Sequence, residues 1–230
     1  MLEAKGIEVA YGQARAIDGV SLAVAAGELV CVVGPNGAGK STLINAIAGL
    51  LRLKSGTLTF DGVDLARLPP HKFIAAGIAV VPEGRRLFPG LTVRDNLRLG
   101  GWRTRNTNID RVVDLFPRIG ERINQIAGTM SGGEQQMCAI ARGLMSEPHI
   151  MMIDELSLGL APVVVDEIIA RLPEIASSGT SILLVEQDVD TALTVAERAY
   201  VLDTGHIVLS GKASDLLADP RVQESYLGVG

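Results

Sequence analysis

Aromatic side chains are scarce in this sequence. Tryptophan, tyrosine and phenylalanine together make up 3% of its 230 residues, although hydrophobic residues as a class make up 47%. Leu, Val, Ile and Ala must therefore fill the core in place of large rings. A chain of this length buries a substantial core, either as one large domain or as a core that carries an inserted subdomain.

Cysteine and histidine are also few, which argues against a disulfide framework and against a histidine metal site. Cys31 and Cys138 fall in a predicted strand and a predicted helix, and we expect both to be buried free thiols in a reducing cytosol. The three histidines, His71, His149 and His206, show no spacing typical of metal ligands.

The sequence lacks an excess of positive charge and any long apolar run. It has 21 basic and 26 acidic residues, so its formal net charge is −5, which argues against nucleic acid as a direct ligand. No signal peptide is visible, and no apolar run is long enough to span a membrane. We expect a chain that is soluble by itself and able to dock onto a membrane protein.

A glycine-rich stretch between a strand and a helix dominates the sequence. Residues 34–42 match the pattern G-x-x-x-x-G-K-[ST], after an apolar strand at 28–33 and before a helix at 41–48. This arrangement aims backbone N–H groups and a helix N-terminus at phosphate oxygens, which an incidental glycine-rich turn would not do. We predict that Lys40 binds the β- and γ-phosphates of a nucleoside triphosphate and that Ser41 binds Mg²⁺. The whole predicted loop comprises Gly34, Pro35, Asn36, Gly37, Ala38, Gly39, Lys40, Ser41 and Thr42.

Two adjacent carboxylates follow another apolar strand. The strand at 149–154 ends in Asp154, and Glu155 comes next. In a phosphate-loop fold, we expect Asp154 to support Mg²⁺, directly or through water. Glu155 is placed to polarise a water for attack on the γ-phosphorus. The alternative is an acidic pair in a solvated turn.

A second predicted anion site begins at Ser131. This residue occupies a helix N-cap position, and Gly132 and Gly133, followed by Glu134, open a strongly helical segment and allow close approach of the backbone. One nucleotide on one phosphate loop does not need this site. We therefore infer a partner chain whose nucleotide it completes.

The order of the predicted elements indicates an α/β chain with a helical insertion. Strands at 2–10, 16–26 and 56–62 predict a small antiparallel sheet, with Asp61-Gly62 as a hairpin turn. Helical patterns fill the chain between two strands of a parallel sheet. We predict one domain, 1–230, in which 1–84 and 148–230 form the nucleotide-binding core with the antiparallel subdomain and 85–147 form an inserted helical subdomain. The other predicted elements are strands at 78–81, 181–186, 199–203 and 206–209, helices at 71–77, 163–176 and 189–196, a capped short helix from Ser214 and a helical end.

Four motifs together resemble the ATP-binding-cassette (ABC) ATPase family over essentially the whole chain. They are Tyr11, residues 34–42, Ser131-Gly-Gly-Glu-Gln135 and Ile153-Asp-Glu155. The resemblance implies a P-loop NTPase (RecA-like) core, ATP and Mg²⁺ as ligands, and a head-to-tail dimer. In that dimer, two ATP molecules lie between residues 34–42 of one chain and Ser131–Gly133 of the other. Tyr11 would stack on adenine, whereas a strand-end aromatic that packs locally is the alternative.

Further stretches resemble the LivF-type ATPase subunits of branched-chain amino acid importers. These stretches are 80–89, 91–97, 157–162, 184–187 and 199–211. The resemblance implies integral-membrane permease subunits and a second ABC ATPase subunit, either the same chain or a related one, as partners. It implies no nucleic acid, no direct contact with the substrate, and a peripheral location at the cytoplasmic face of the inner or plasma membrane.

Four positions depart from the general ABC pattern. Glu83 replaces a glutamine that contacts Mg²⁺ and the attacking water, and Gln187 replaces the switch histidine that touches the γ-phosphate. Ala161 replaces an aspartate of the segment that faces the partner chain. These three resemble the LivF type, whereas Leu156, in place of a proline after the catalytic glutamate, fits neither pattern. The catalytic assignments are Glu155, Lys40 and Gln187, and the metal assignments are Ser41, Asp154 and Glu83.

These features predict a subunit that binds and hydrolyses ATP and drives a separate membrane permease. A urea or short-amide importer ATPase is the alternative within the family. A non-transport ABC protein acting on ribosomes or DNA usually carries two cassettes or a long coiled-coil insertion, which this sequence lacks. A small-molecule P-loop kinase would leave Ser131–Gly133 unexplained.

Overall fold

The computed structural model describes residues 1–224, which fold into two β-sheets and a set of helices. The strands are β1 (Leu2–Tyr11), β2 (Ala14–Val24), β3 (Leu29–Val33), β4 (Ser55–Phe60), β5 (Val63–Asp64), β6 (Ile78–Val81), β7 (Ile150–Asp154), β8 (Ser181–Glu186), β9 (Arg198–Asp203) and β10 (His206–Lys212). The α-helices are α1 (Lys40–Ile47), α2 (Val93–Gly100), α3 (Asp110–Leu115), α4 (Pro117–Glu121), α5 (Gly132–Leu144), α6 (Pro162–Ile169), α7 (Leu172–Ser177), α8 (Val189–Val195), α9 (Ala213–Leu217) and α10 (Pro220–Val222).

The larger sheet has the order β10-β9-β3-β8-β7-β6, in which β10 pairs antiparallel with β9 and the other neighbours pair parallel. Every residue of β3, β7 and β8 is buried, because helices and the second sheet cover both faces. Parallel strands end at one common edge. The segments that follow β3, β6, β7 and β8 therefore meet there, and they carry the phosphate loop, Glu83, Glu155 and Gln187.

The smaller sheet is antiparallel and has the order β2-β1-β4-β5. Its β4–β5 hairpin pairs Phe60 with Val63 and turns through Asp61 and Gly62, both at positive φ (47° and 79°). Two central residues at positive φ are the signature of a type I′ turn. The predicted hairpin is therefore confirmed, as is the α/β fold with an antiparallel β subdomain.

Helices α2–α5 lie between β6 and β7, and no strand is assigned among residues 85–147. Their apolar faces join one hydrophobic core with α6–α9 and one face of the large sheet, and α5 contributes Met137, Cys138 and Ile140 to it. A second core lies between the other face of that sheet and the antiparallel sheet. The subdomain boundaries at 84/85 and 147/148 stay a prediction.

Both cysteines are free and buried, as the sequence predicts. Burial raises the pKa of the Cys31 thiol to about 12 and that of Cys138 to about 11. Neither thiol therefore ionises near neutral pH, which fits a packing role. Within residues 1–224, no helix has the length and apolar character needed to cross a membrane.

Three predicted helical segments are wrong in detail. The segment 71–77 forms two short 3₁₀ turns, Pro70–Lys72 and Ile74–Ala76, since so short a stretch cannot nucleate a stable α-helix before Gly77. The predicted helix 163–176 is two helices, α6 and α7, because Pro173 lacks an N–H and clashes with the preceding turn.

The tail helix α9 begins at Ala213 and has no side-chain cap, whereas the sequence predicted a capped helix from Ser214. The Ser214 hydroxyl instead donates to Asp215 at 3.2 Å. The predicted helical end is α10 as far as Val222, and residues 225–230 lie outside the described residues.

Helix α6 offers a test of local stability because its N-cap residue, Ala161, is extended and provides no side-chain acceptor. We predict that Ala161→Asp raises the free energy of unfolding by about 1 kcal/mol, since Asp at this position accepts a hydrogen bond from the first helical turn. Urea unfolding of the isolated subunit measures the change. The matched control is Ala170→Asp at the C-cap of the same helix, where a carboxylate opposes the helix dipole and should destabilise. Equal shifts for both variants would contradict the capping explanation.

Candidate nucleotide-binding site

The glycine-rich loop links the buried strand β3 to helix α1. Gly39 is the N-cap of α1 and has φ of 106°, and a Cβ there would lie 2.7 Å from the Ala16 carbonyl oxygen. Only glycine fits this position. Gly39 therefore lets the loop turn into the N-terminus of α1, where backbone N–H groups have no partner within the helix.

The Lys40 ammonium group is buried, with 4% of the residue exposed. Its Nζ donates to the carbonyl oxygens of Gly34 (2.9 Å) and Pro35 (3.1 Å) and lies 3.7 Å from Glu155 Oε1. A buried cation needs such partners, because removal from water is costly. The loop and the carboxylate after β7 are therefore tied to one positive charge.

A surface cavity of about 280 Å³ lies against this loop. Its lining includes two segments that the sequence reasoning did not assign to the site, Arg15-Ala16 and Thr204-Gly205. Gly205 donates its N–H to the Ala38 carbonyl oxygen at 2.9 Å, and a Cβ on Gly205 would lie 2.8 Å from the Ala16 oxygen. The only sequence signal for the second segment is the turn between two short strands. The cavity residues are Arg15, Ala16, Asn36, Gly37, Gly39, Lys40, Ser41, Thr42, Glu155, Thr204 and Gly205.

Asp154 ends β7 as a buried carboxylate, with 5% of the residue exposed. Burial raises its pKa to about 6, the charges of Glu155 and Glu83 add to the rise, and the Ser41 hydroxyl and Lys40 oppose it. Its Oδ1 atom is buried and has no hydrogen-bond partner among the described residues. A carboxylate oxygen without a partner beside a serine hydroxyl is the donor set that suits a Mg²⁺ ion shared with phosphate oxygens.

Glu155 has a left-handed backbone, with φ of 48°, and its N–H donates to the Val185 carbonyl oxygen at 2.9 Å. The next residue, Leu156, is 1% exposed and belongs to the main core. A proline at that position would push the preceding residue toward extended backbone. Leu156 therefore has a structural explanation that the sequence did not supply: it packs in the core and permits the turn that aims Glu155.

Glu83 and Gln187 are both exposed at the same edge of the sheet. Glu83 follows β6 after one proline, and its charge reaches Asp154 strongly enough to raise that pKa. Gln187 directly follows β8, between the strands that lead to the loop and to Asp154. Both positions fit the site, and their roles in hydrolysis stay predictions.

Tyr11 lies at the end of β1 and is 55% exposed. Its hydroxyl oxygen is 3.5 Å from Thr42 Oγ1. The Tyr11 hydroxyl therefore lies beside the last residue of the glycine-rich loop, and the side chain is not packed in the core.

Ser131 forms a capping box with Glu134 at the start of α5. The Ser131 hydroxyl accepts from the Glu134 N–H at 3.3 Å and donates to Glu134 Oε2 at 2.8 Å, and that oxygen also accepts from the Ser131 N–H at 2.9 Å. The backbone and hydroxyl of Ser131 lower the pKa of Glu134, and Arg122, 3.1 Å from Oε1, adds to this. The predicted N-cap is confirmed, and the capping box satisfies the N–H groups of Ser131 and Glu134 within the chain.

The two glycines after Ser131 have different surroundings. A Cβ on Gly133 would lie 2.2 Å from Val164 Cγ1 of α6, so Gly133 allows α5 and α6 to pack closely. A Cβ on Gly132 would meet only side-chain atoms of Arg85 and Leu160. Residues 131–134 do not line the cavity at the phosphate loop of the same chain.

The buried charge of Asp154 predicts a pH-dependent stability. Its pKa is about 6 in the folded chain against an ordinary 3.8, so the folded state is progressively penalised as pH rises from about 4 through 6. We predict that Asp154→Asn raises the free energy of unfolding of the nucleotide-free protein by about 1–3 kcal/mol at pH 7.5. The gain should shrink as pH falls toward 4. Urea unfolding at several pH values measures it, and a gain that does not change with pH would contradict the cause assigned.

Comparison with known proteins identifies the family. The profile described as "ABC transporter" matches residues 17–157. The chain is 45% identical to the high-affinity branched-chain amino acid transport ATP-binding protein BraG of Pseudomonas aeruginosa over 232 aligned residues, covering 99% of this chain and 100% of that protein.

Two further relatives agree in length and fold. The probable branched-chain amino acid transport ATP-binding protein LivF of Archaeoglobus fulgidus is 33% identical, covering 100% of this chain and 99% of its own. The crystal structure of the ADP conformation of MJ1267, an ATP-binding cassette of an ABC transporter, superposes with a TM-score of 0.88 at 27% identity and covers 99% of this chain and 98% of that one. The chain therefore belongs to the ABC transporter family as an ATP-binding subunit, and it is an ATPase.

Proposed function

We propose that this chain hydrolyses Mg²⁺-ATP as half of a head-to-tail dimer and thereby drives a membrane permease that imports branched-chain amino acids. The observation that carries the proposal is that Lys40, Ser41 and Glu155 line one cavity, with the buried Asp154 carboxylate beside Ser41 and the capped start of α5 outside the cavity. One chain holds the groups for phosphate, metal and water. The second anion site, at the start of α5, would bind the nucleotide of a second chain.

In the proposed site, residues 34–42 bind the phosphates through backbone N–H groups, and Lys40 exchanges its two carbonyl contacts for β- and γ-phosphate oxygens. Ser41 and Asp154 would hold Mg²⁺, with Glu83 close by. When bound, Mg²⁺ would neutralise part of the phosphate charge. Phosphate oxygens and water would complete the coordination of an ion that Ser41 and Asp154 hold, as is usual for Mg²⁺ bound with a nucleotide.

Glu155 is proposed as the base that accepts a proton from the attacking water. Its ion pair with Lys40 keeps it at the cavity, and its backbone turn points it away from the core. Gln187 offers the γ-phosphate a neutral hydrogen bond. Tyr11 stacks on adenine with its exposed face.

The second chain contributes Ser131, Gly132, Gly133 and Glu134 to each nucleotide. The capping box supports this because it presents the N-terminus of α5 in one fixed conformation. The second chain is a copy of this one or a related ABC ATPase. The dimer acts peripherally at the cytoplasmic face of the membrane, contacts permease subunits, and touches neither the transported substrate nor nucleic acid.

The names of BraG and LivF support branched-chain amino acids as the transported class. Import of urea or short amides is the alternative among importers. A non-transport ABC ATPase is the alternative from another functional class. Purification of the membrane complex, followed by radiolabelled uptake of leucine against urea, separates the two importers. Failure of the chain to co-purify from membranes with any permease would favour the non-transport alternative.

A groove of about 220 Å³ between the sheet edge and the helical insertion supports the permease contact. Phe88, Leu99 and Arg142 line it, Phe88 is 52% exposed, and the Arg142 guanidinium lies over the Phe88 ring at 5.8 Å. The neighbouring Leu87 is partly buried against the main core. We propose that a cytoplasmic loop of the permease docks on Phe88 and Leu99.

The proposed docking predicts a site-specific cross-link. A cysteine introduced by Phe88→Cys should cross-link to a cytoplasmic loop of the permease, because the native Cys31 and Cys138 are buried and will not compete. Val208→Cys on β10, at the opposite edge of the sheet, is the exposed control and should not cross-link. Equal capture from both positions would refute the proposed groove.

Replacement of the proposed base should separate binding from hydrolysis. We predict that Glu155→Gln retains ATP binding and slows turnover by about 10²–10⁴-fold, because the amide keeps the shape and cannot accept a proton. Size-exclusion chromatography with ATP should show a persistent dimer. Turnover and nucleotide binding are measured on the same preparation, and normal turnover would refute the assignment.

The dimer model predicts that a bulky residue at the start of α5 blocks ATP hydrolysis without weakening ATP binding. Ser131→Arg should block hydrolysis in the assembled protein and leave ATP affinity of the isolated subunit unchanged, because residues 131–134 lie outside its own cavity. Ser131→Ala, which removes only the cap, controls for lost helix stability. Weaker ATP binding by the isolated Ser131→Arg subunit would mean that this residue acts within its own chain.

A further inference from the structure

Glu186 is a buried carboxylate to which the proposed chemistry assigns no part. It ends β8, is 1% exposed, and lies one residue before Gln187. Burial raises its pKa, and hydrogen bonds from Ser157 and the Gln187 backbone oppose the rise. A carboxylate at such depth needs donors that compensate for its lost hydration.

The donors come from the segments on either side of the site. The Ser157 N–H donates to Glu186 Oε1 at 2.9 Å, and the Ser157 hydroxyl donates to Oε2 at 2.7 Å. Both carboxylate oxygens of Glu186 therefore bind the same residue, Ser157, which lies two positions after Glu155. The Gln187 backbone also favours the charged form of Glu186, since it lowers the pKa of that carboxyl.

The backbone between these contacts has little freedom. Glu155 is fixed on one side by β7 and by its own N–H bond to the Val185 carbonyl oxygen, and on the other side by Ser157. Its φ of 48° is sparsely populated by residues with a side chain, so it persists only where neighbours enforce it. Val185 and Glu186 are consecutive residues of β8, so one strand end supplies both restraints.

We propose that Glu186 is a positioning residue that fixes the Glu155–Ser157 turn against Gln187 and so aims Glu155 at the attacking water. Ser157 also begins the segment that leads to Ala161 and the proposed partner interface. The same carboxylate thereby links the proposed base, the γ-phosphate contact and the start of that segment. This inference rests on the proposed role of Glu155.

The test compares turnover numbers in the assembled ATPase. Glu186→Gln keeps the side-chain shape but leaves one Ser157 donor facing an NH₂ group. We expect kcat to fall about ten- to a hundredfold with KM for ATP within about twofold of the parent, since a hydrogen bond to a charged group is lost and the phosphate contacts remain. Ser157→Ala should show a smaller loss of the same kind, and Ser157→Thr, which keeps the hydroxyl, should restore kcat.

Coupling between the two residues distinguishes positioning from general stability. The Glu186→Gln, Ser157→Ala double variant should be no slower than Glu186→Gln alone, because both changes remove one interaction. The matched structural control is Thr180→Val. Thr180 precedes the other end of β8, is buried, and donates to the Pro148 carbonyl oxygen at 3.1 Å. It should lower the melting temperature and leave kcat unchanged.

Each outcome has one meaning. If Glu186→Gln turns over within twofold of the parent while Glu155→Gln is inactive, the inference fails and the proposed site stands. If the losses from Glu186 and Ser157 multiply, or if Thr180→Val loses kcat in step with its melting temperature, Glu186 has only a structural role. If Glu155→Gln turns over normally, the proposed site itself fails.

Discussion

The buried charge of Lys40 is the constraint on which the rest of the site depends. An ammonium group with 4% exposure needs hydrogen-bond acceptors and a countercharge nearby; two loop carbonyls are the acceptors, and the Glu155 carboxylate is the countercharge. The carbonyls are available only because glycine lets the loop fold back on itself. The carboxylate is available only because β7 runs parallel to β8 and β8 to β3, with ends in register.

The phosphate site and the start of α5 differ in how their polar groups are satisfied. The first keeps its charges inside the protein and leaves Asp154 Oδ1 without a partner. The second satisfies its own donors with a capping box and stands at the surface. The first site therefore lacks groups that a ligand would supply, and the second presents a helix N-terminus at the surface, where the nucleotide of the proposed second chain would meet it.

The phosphate loop, the carboxylate pair and the capped start of α5 could all be predicted from sequence because each is local. Spacing within ten residues fixes their geometry. Arg15 and Thr204-Gly205 could not be predicted, since they reach the cavity only through strand pairing between distant segments. The core position of Leu156 and the close approach of Gly133 to Val164 also could not be predicted. Both depend on packing between segments that are distant in the sequence. Pro173 is also a local signal, since its missing N–H predicts the break between α6 and α7 that the apolar pattern of 163–176 does not show.

The partnerless oxygen of Asp154 has a consequence for the life of the protein in the cell. A buried charge that its neighbours compensate only in part lowers the stability of the empty fold, and a ligand that satisfies it in the folded chain stabilises that state. Under the proposed function, a chain that holds nucleotide and Mg²⁺ should therefore unfold less often than an empty one and resist proteases better.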